Sequence, residues 1–81
     1  MKSLVELNEG EFGFIVDYTA IEEIESFFEM GILPGEKIVV KDNKQGSEWI
    51  SIQLNRHIIS IRKNKAKTII TNYISFDICL N

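Results

Sequence analysis

The chain has 81 residues, 44% of them hydrophobic and 26% charged, a balance that specifies a folded domain and excludes the disordered class. At this length one modest core forms, with too little further buried surface to enclose a deep substrate pocket, so an enzyme is disfavoured. The net charge of −3 argues against a general nucleic-acid binder, which would carry a basic stripe.

Leu4-Val5-Glu6-Leu7 is a short lead-in, and Asn8-Glu9-Gly10-Glu11 is turn chemistry before a first strand from Phe12 to Tyr18. That strand is rich in aromatic and β-branched residues, yet Gly13 lies inside it, which signals a bulge, a bend or the close approach of another backbone. Thr19-Ala20-Ile21-Glu22 reads as a capping box and predicts a helix from about Ala20 to Met30. Its apolar positions Ile21, Ile24, Phe27 and Phe28 fall at helical spacing on one face, with Glu22, Glu23 and Glu25 in the first turns, where negative charge suits the macrodipole.

The stretch from Glu29 to Gly35 is the most tightly specified in the chain. Gly31 in left-handed geometry would end the helix and bring Ile32 onto Phe27, the contact that accompanies a Schellman cap. Pro34 and Gly35 then have the φ values that the two central positions of a type II turn require.

Lys37 to Lys41 reads as a second strand, closed by the polar turn Asp42 to Gly46. Ile50, Ile52 and Leu54 alternate with Ser51 and Gln53 in a third strand that buries one face. Asn55-Arg56-His57 is a tight connection, with Asn55 the residue best able to adopt a left-handed conformation. Ile59 and Ile61 alternate with Ser60 and Arg62 in a fourth strand, Lys63 to Ala66 reads as a single 3₁₀ turn, and Thr68 to Thr71 starts a fifth strand.

The expected fold is therefore mainly β with one short helix between the first two strands: a small five-stranded antiparallel barrel over residues 1–74. Residues 75–81 form a tail with an extra strand. There Ile74, Phe76, Ile78 and Leu80 alternate with polar residues, a stripe that needs cover, either from strand addition to a second copy or a partner or by folding back on its own barrel. No apolar run of about 18 residues and no basic-then-apolar leader is written in the chain, so neither membrane insertion nor secretion is expected. The single cysteine, Cys79, agrees with a reducing compartment, and the protein is expected to be cytoplasmic.

The run FEMGILPGEKIVV, followed by ISIRKNKAKTI, resembles the FeoA family of small proteins associated with bacterial ferrous iron transport. Met30, Gly31, Leu33, Pro34, Gly35, Ile59, Ser60, Ile61, Arg62 and Ala66 fill the places of the family's motif, and the likeness extends over roughly residues 4–71. Two positions depart from it: Gly46-Ser47-Glu48 replaces a Gly-x-Pro, and the Asn55 to His57 turn lacks a glycine. The resemblance implies an SH3-like barrel and a role as accessory partner of FeoB, the membrane ferrous iron transporter with a cytosolic GTPase domain. Met30, Gly31, Leu33, Pro34 and Gly35 are the implied partner-binding or structural motif. Similar domains close iron-dependent repressors, so a stand-alone small-barrel adaptor for a peptide, or less readily for nucleic acid, is the alternative.

An iron-transport family suggests transition-metal binding, but His57 and Cys79 are the only soft ligands and nothing pairs them; no metal site and no cofactor is expected. Glu22, Glu25 and Glu29 read as a solvated face rather than a carboxylate cluster. Ser60 and His57 are close in sequence without forming a nucleophile and base, and no phosphate-binding glycine loop is present, so no catalytic set is expected. Trp49 is either an exposed anchor or a cover for the barrel end. Arg62, Lys63, Lys65 and Lys67 form the one basic patch, a solvated turn or a surface for an acidic partner.

Overall fold

Alternation of apolar and polar residues commits several segments of this chain to strands. In the computed structural model, which describes residues 1–73, six antiparallel strands form one curled sheet. They are β1 (Lys2–Ser3), β2 (Phe12–Tyr18), β3 (Lys37–Asp42), β4 (Trp49–Leu54), β5 (His57–Arg62) and β6 (Ile69–Tyr73). Their spatial order is β1-β6-β2-β3-β4-β5, so β2, which leads into the helical segment, lies at the centre of the sheet.

Six strands replace the expected five because the first residues are not merely a lead-in: Lys2 and Ser3 pair with Thr71 and Ile70 of β6. A two-residue strand is too short to show any alternation, so no periodicity marks it in the sequence. After it, Leu4–Glu6 forms a 3₁₀ turn. The Glu6 carboxylate accepts from the Ser3 N–H at 2.8 Å, and the Ser3 hydroxyl donates to the Lys67 carbonyl at 2.8 Å. Leu4 and Leu7 are thereby sealed into the core.

The core comprises these two leucines with Ile15, Phe27, Ile32, Ile38, Val40, Ile50, Ile52, Leu54, Ile61, Ala66 and Ile69. Ile50, Ile52 and Leu54 point inward as their alternation dictates, in a register that pairs Ile50 with Ile61 and Ile52 with Ile59. The hairpin between β4 and β5 turns on Asn55 at φ 55°, the left-handed conformation expected there. Thr71 is the one fully buried polar residue of this core, and its hydroxyl donates to the Lys2 carbonyl at 3.0 Å, so its burial leaves no unmet hydrogen bond.

Gly13 marks a close approach. A Cβ there would lie 3.2 Å from the Asn72 carbonyl oxygen and 3.2 Å from the Thr71 Cβ, so any larger residue would press β6 away from β2 by a few tenths of an ångström. The irregularity in this pair falls further on, between Ile15 and Asp17.

Two local expectations fail. Thr19 and Glu22 do not form a capping box: the first helical residue is Ile21 and Ala20 is its N-cap, while Thr19, just past the end of β2, is held to the chain entering β6, its N–H donating to the Thr68 carbonyl at 2.8 Å. Lys63–Ala66 is not a 3₁₀ turn but a single α-turn, α2, closed by the Lys67 N–H on the Lys63 carbonyl at 2.9 Å. Ala66 is fully buried there, which rewards the wider α geometry. The expected boundary after residue 74 and the stripe Ile74, Phe76, Ile78 and Leu80 lie outside the described residues, as does Cys79.

Glu11 ties the turn before β2 to the end of β6. Its carboxylate accepts from the Asn8 N–H at 2.7 Å and from the Tyr73 hydroxyl at 2.8 Å, and these bonds hold its pKa below the usual carboxylate value. A pKa depressed by folding contributes stability above the unfolded value that is lost as pH falls through the folded one. Glu11→Gln is therefore expected to lower stability at neutral pH and to flatten the acid limb of a urea-denaturation profile between about pH 6 and pH 3.

Candidate docking elbow

Between β2 and β3 the chain makes a 3₁₀ turn, Ile21–Glu23, and a six-residue helix, α1 (Ile24–Glu29). So short a helix is not stable by itself; its termination holds it. Gly31 has φ 84°. Its N–H donates to the Phe28 carbonyl at 3.1 Å, and the Ile32 N–H donates to the Phe27 carbonyl at 2.9 Å, the two bonds of a Schellman motif. Phe27 and Ile32 are both fully buried, as the capping reading requires.

The turn that follows is type II in its essentials: Gly35 has φ 88° and the Glu36 N–H donates to the Leu33 carbonyl at 3.1 Å. It is anchored to the sheet by the Gly35 N–H on the Ile15 carbonyl, 2.7 Å, and the Ile15 N–H on the Glu36 carbonyl, 2.9 Å. Tyr18 completes the elbow. Its ring stacks on Phe27 at 5.8 Å and meets Phe28 edge-on at 5.9 Å, while its hydroxyl donates to the Ile32 carbonyl at 2.7 Å. Partial burial raises the Tyr18 pKa, which keeps the phenol protonated as a donor.

The outward side of this rigid loop is apolar. Met30 is 39% exposed, Leu33 38%, Phe28 46% and Ile21 84%. Of the four apolar positions expected on one helical face, only Phe27 is fully buried, and Ile24 is half-buried. Helical spacing identified the face, but one and a half turns bring a single side chain into this core. An open groove of about 590 Å³ runs along the helix, lined by Ile21, Ile24, Glu25, Phe28 and Glu29.

Charge divides along the chain. From Ser3 to Glu36 there are nine acidic residues and no Lys or Arg. Glu22, Glu25 and Glu29 are exposed beside the groove, a solvated face as expected, whereas Glu23 pairs with Lys65 at 3.4 Å.

The other candidates are not brought to this elbow. His57 is exposed at the start of β5, and the Ser60 hydroxyl pairs with that of Ser51 at 3.0 Å rather than with an imidazole. Among the described residues no three His, Cys, Asp or Glu side chains cluster as metal ligands would. Trp49 is 46% exposed, with the Arg62 guanidinium 4.6 Å from its ring centre. Arg62 also pairs with Glu48 at 3.0 Å, and the Lys63 ammonium donates to the Lys44 carbonyl at 2.6 Å, so much of the basic patch is engaged locally. Sequence reasoning missed Tyr18 as the pin of the elbow; an aromatic at a strand end facing a helix stop is its only signal. Among the described residues no helix is long and apolar enough to cross a membrane.

The FeoA domain model matches residues 2–72. No curated protein matches the chain by sequence. Among solved structures, the chain superposes with TM-score 0.80 on an iron uptake regulatory protein (FeoA), at 22% identity over 90% of this chain and 96% of that one. A zinc-complexed FeoA from Stenotrophomonas maltophilia, described as a prokaryotic SH3 domain protein, gives TM-score 0.77 at 17% identity over 89% and 91% of the two chains. A manganese-dependent transcriptional repressor gives TM-score 0.81 at 15% identity, covering 90% of this chain but 41% of the repressor. These likenesses establish the SH3-like fold, and the domain match over nearly the whole described chain establishes the lineage: the chain belongs to the FeoA family.

Proposed function

We propose that this protein is a cytoplasmic accessory of bacterial ferrous iron uptake that docks on the FeoB transporter and regulates it. The observation that carries this reading is a rigid elbow, fixed by Gly31, Pro34 and Gly35, that holds Met30 and Leu33 outward at the end of a short helix. Exposed apolar side chains on a backbone already locked by hydrogen bonds need no further backbone ordering on binding, which favours a protein contact. In this reading the domain performs no chemistry of its own; nucleotide and metal handling belong to the transporter. The test is retention of the purified protein on membranes that contain FeoB compared with membranes that lack it. Retention is expected only on the former, and equal retention on both would overturn the proposal.

A second reading, a stand-alone adaptor that takes a peptide by strand addition, is favoured by β5. That strand ends the sheet order, and its Ile58 is 62% exposed. Homo-oligomerisation by strand addition through Ile74, Phe76, Ile78 and Leu80 is a separate proposal that rests on the sequence alone.

A further inference from the structure

We propose that the groove over α1 receives a basic amphipathic helix of a protein partner. The inference deepens the docking reading above by giving the occupant's chemistry, and rests on it for the partner's class. Two independent features set that chemistry. The floor is apolar and wet: Ile21 and Phe28 are exposed by 84% and 46%, and with the half-buried Ile24 they line about 590 Å³ of open groove. The Phe28 ring is already held edge-on against Tyr18, so this floor is preformed.

The rim is acidic and unneutralised. Glu25 and Glu29 line the groove and Glu22 adjoins it, and none of the ion pairs among the described residues engages any of the three. Lys65 reaches this region only to pair with Glu23. An apolar floor with free carboxylates along it fits a segment whose apolar stripe is flanked by Lys or Arg.

Geometry narrows the occupant to a helix. Glu25 and Glu29 stand four residues apart on α1, about 6 Å along its axis, the repeat at which a partner helix presents successive Lys or Arg side chains on one face. An extended peptide binds through the free edge of a sheet, and a helix offers none. A second copy of the same face would set acidic rim against acidic rim. Anionic lipid and nucleic acid are repelled by the same charges.

The probe is a synthetic helical peptide with Leu at i, i+3, i+4 and i+7 flanked by Lys, titrated into the isotope-labelled protein and followed by amide chemical shifts. A matched peptide with Glu in place of every Lys is the comparison. The expected result is saturable binding of the Lys peptide alone, with shifts concentrated between Ile21 and Leu33 and affinity that falls as salt is raised. Ile21→Ser, at a position too exposed to disturb folding, should weaken binding about tenfold. Glu25→Lys with Glu29→Lys should reverse the preference between the two peptides. No binding, equal binding of both peptides, or shifts centred on β5 would overturn the inference. The titration contains no transporter, so its outcome judges the groove separately; loss of retention on FeoB membranes would judge the partnership.

Discussion

Phe27→Ala is expected to destabilise the domain by about 3–5 kcal/mol, the range for truncating a fully buried phenylalanine. A protein of 81 residues has only about 4–12 kcal/mol in total at ordinary stability per residue, so the variant should be largely unfolded at 37 °C or close to it. The size of the effect follows from what Phe27 supports. Its ring stacks on Tyr18, its carbonyl accepts the Ile32 N–H of the helix stop, and it is the one fully buried side chain of α1. Truncation leaves a void between the sheet and the elbow and removes the surface on which Tyr18 rests, so the 2.7 Å bond from its hydroxyl to Ile32 loses its support. Urea denaturation at 25 °C measures the loss. A change under about 1 kcal/mol would mean that the sheet closes its core without the helix, contrary to the packing described.

Gly31→Val isolates the backbone from the side chain. Beyond its chain neighbours, no atom lies within 4 Å of a Cβ built at Gly31, so the Cβ itself has room. The cost is that of holding a β-branched residue at φ 84°, at least about 1–2 kcal/mol. Gly31→Asn should recover part of it, because Asn tolerates left-handed geometry. If melting of Gly31→Val matches wild type while transporter binding disappears, Gly31 is a contact residue and the capping account is wrong.

The elbow was legible in the sequence because its signals are local. Glycine and proline act through their own φ, so Gly31, Pro34 and Gly35 announce the same backbone whatever surrounds them. The strands from Lys37 onward were legible through alternation, and Asn55 through its tolerance of left-handed geometry. What the sequence hid depends on long-range pairing. Thr19 looks like an N-cap until the chain entering β6 brings Thr68 beside it, and Lys2 and Ser3 carry no strand signal until they meet Thr71 and Ile70. The exposure of Ile21 and Phe28 was hidden for a related reason: periodicity finds the apolar side of a helix but not how much of it the sheet can cover. The proposed docking positions Met30 and Leu33 stood within a motif that the sequence marked, yet the groove beside them needed the three-dimensional placement of Glu25, Phe28 and Glu29.

The most direct test of the account is retention on FeoB-containing membranes of the wild type beside Met30→Ser with Leu33→Ser. Both side chains are substantially exposed, so the double variant should melt within a few degrees of wild type. The account predicts that it folds and loses at least tenfold of its affinity for those membranes. A folded double variant retained as well as the wild type would contradict it.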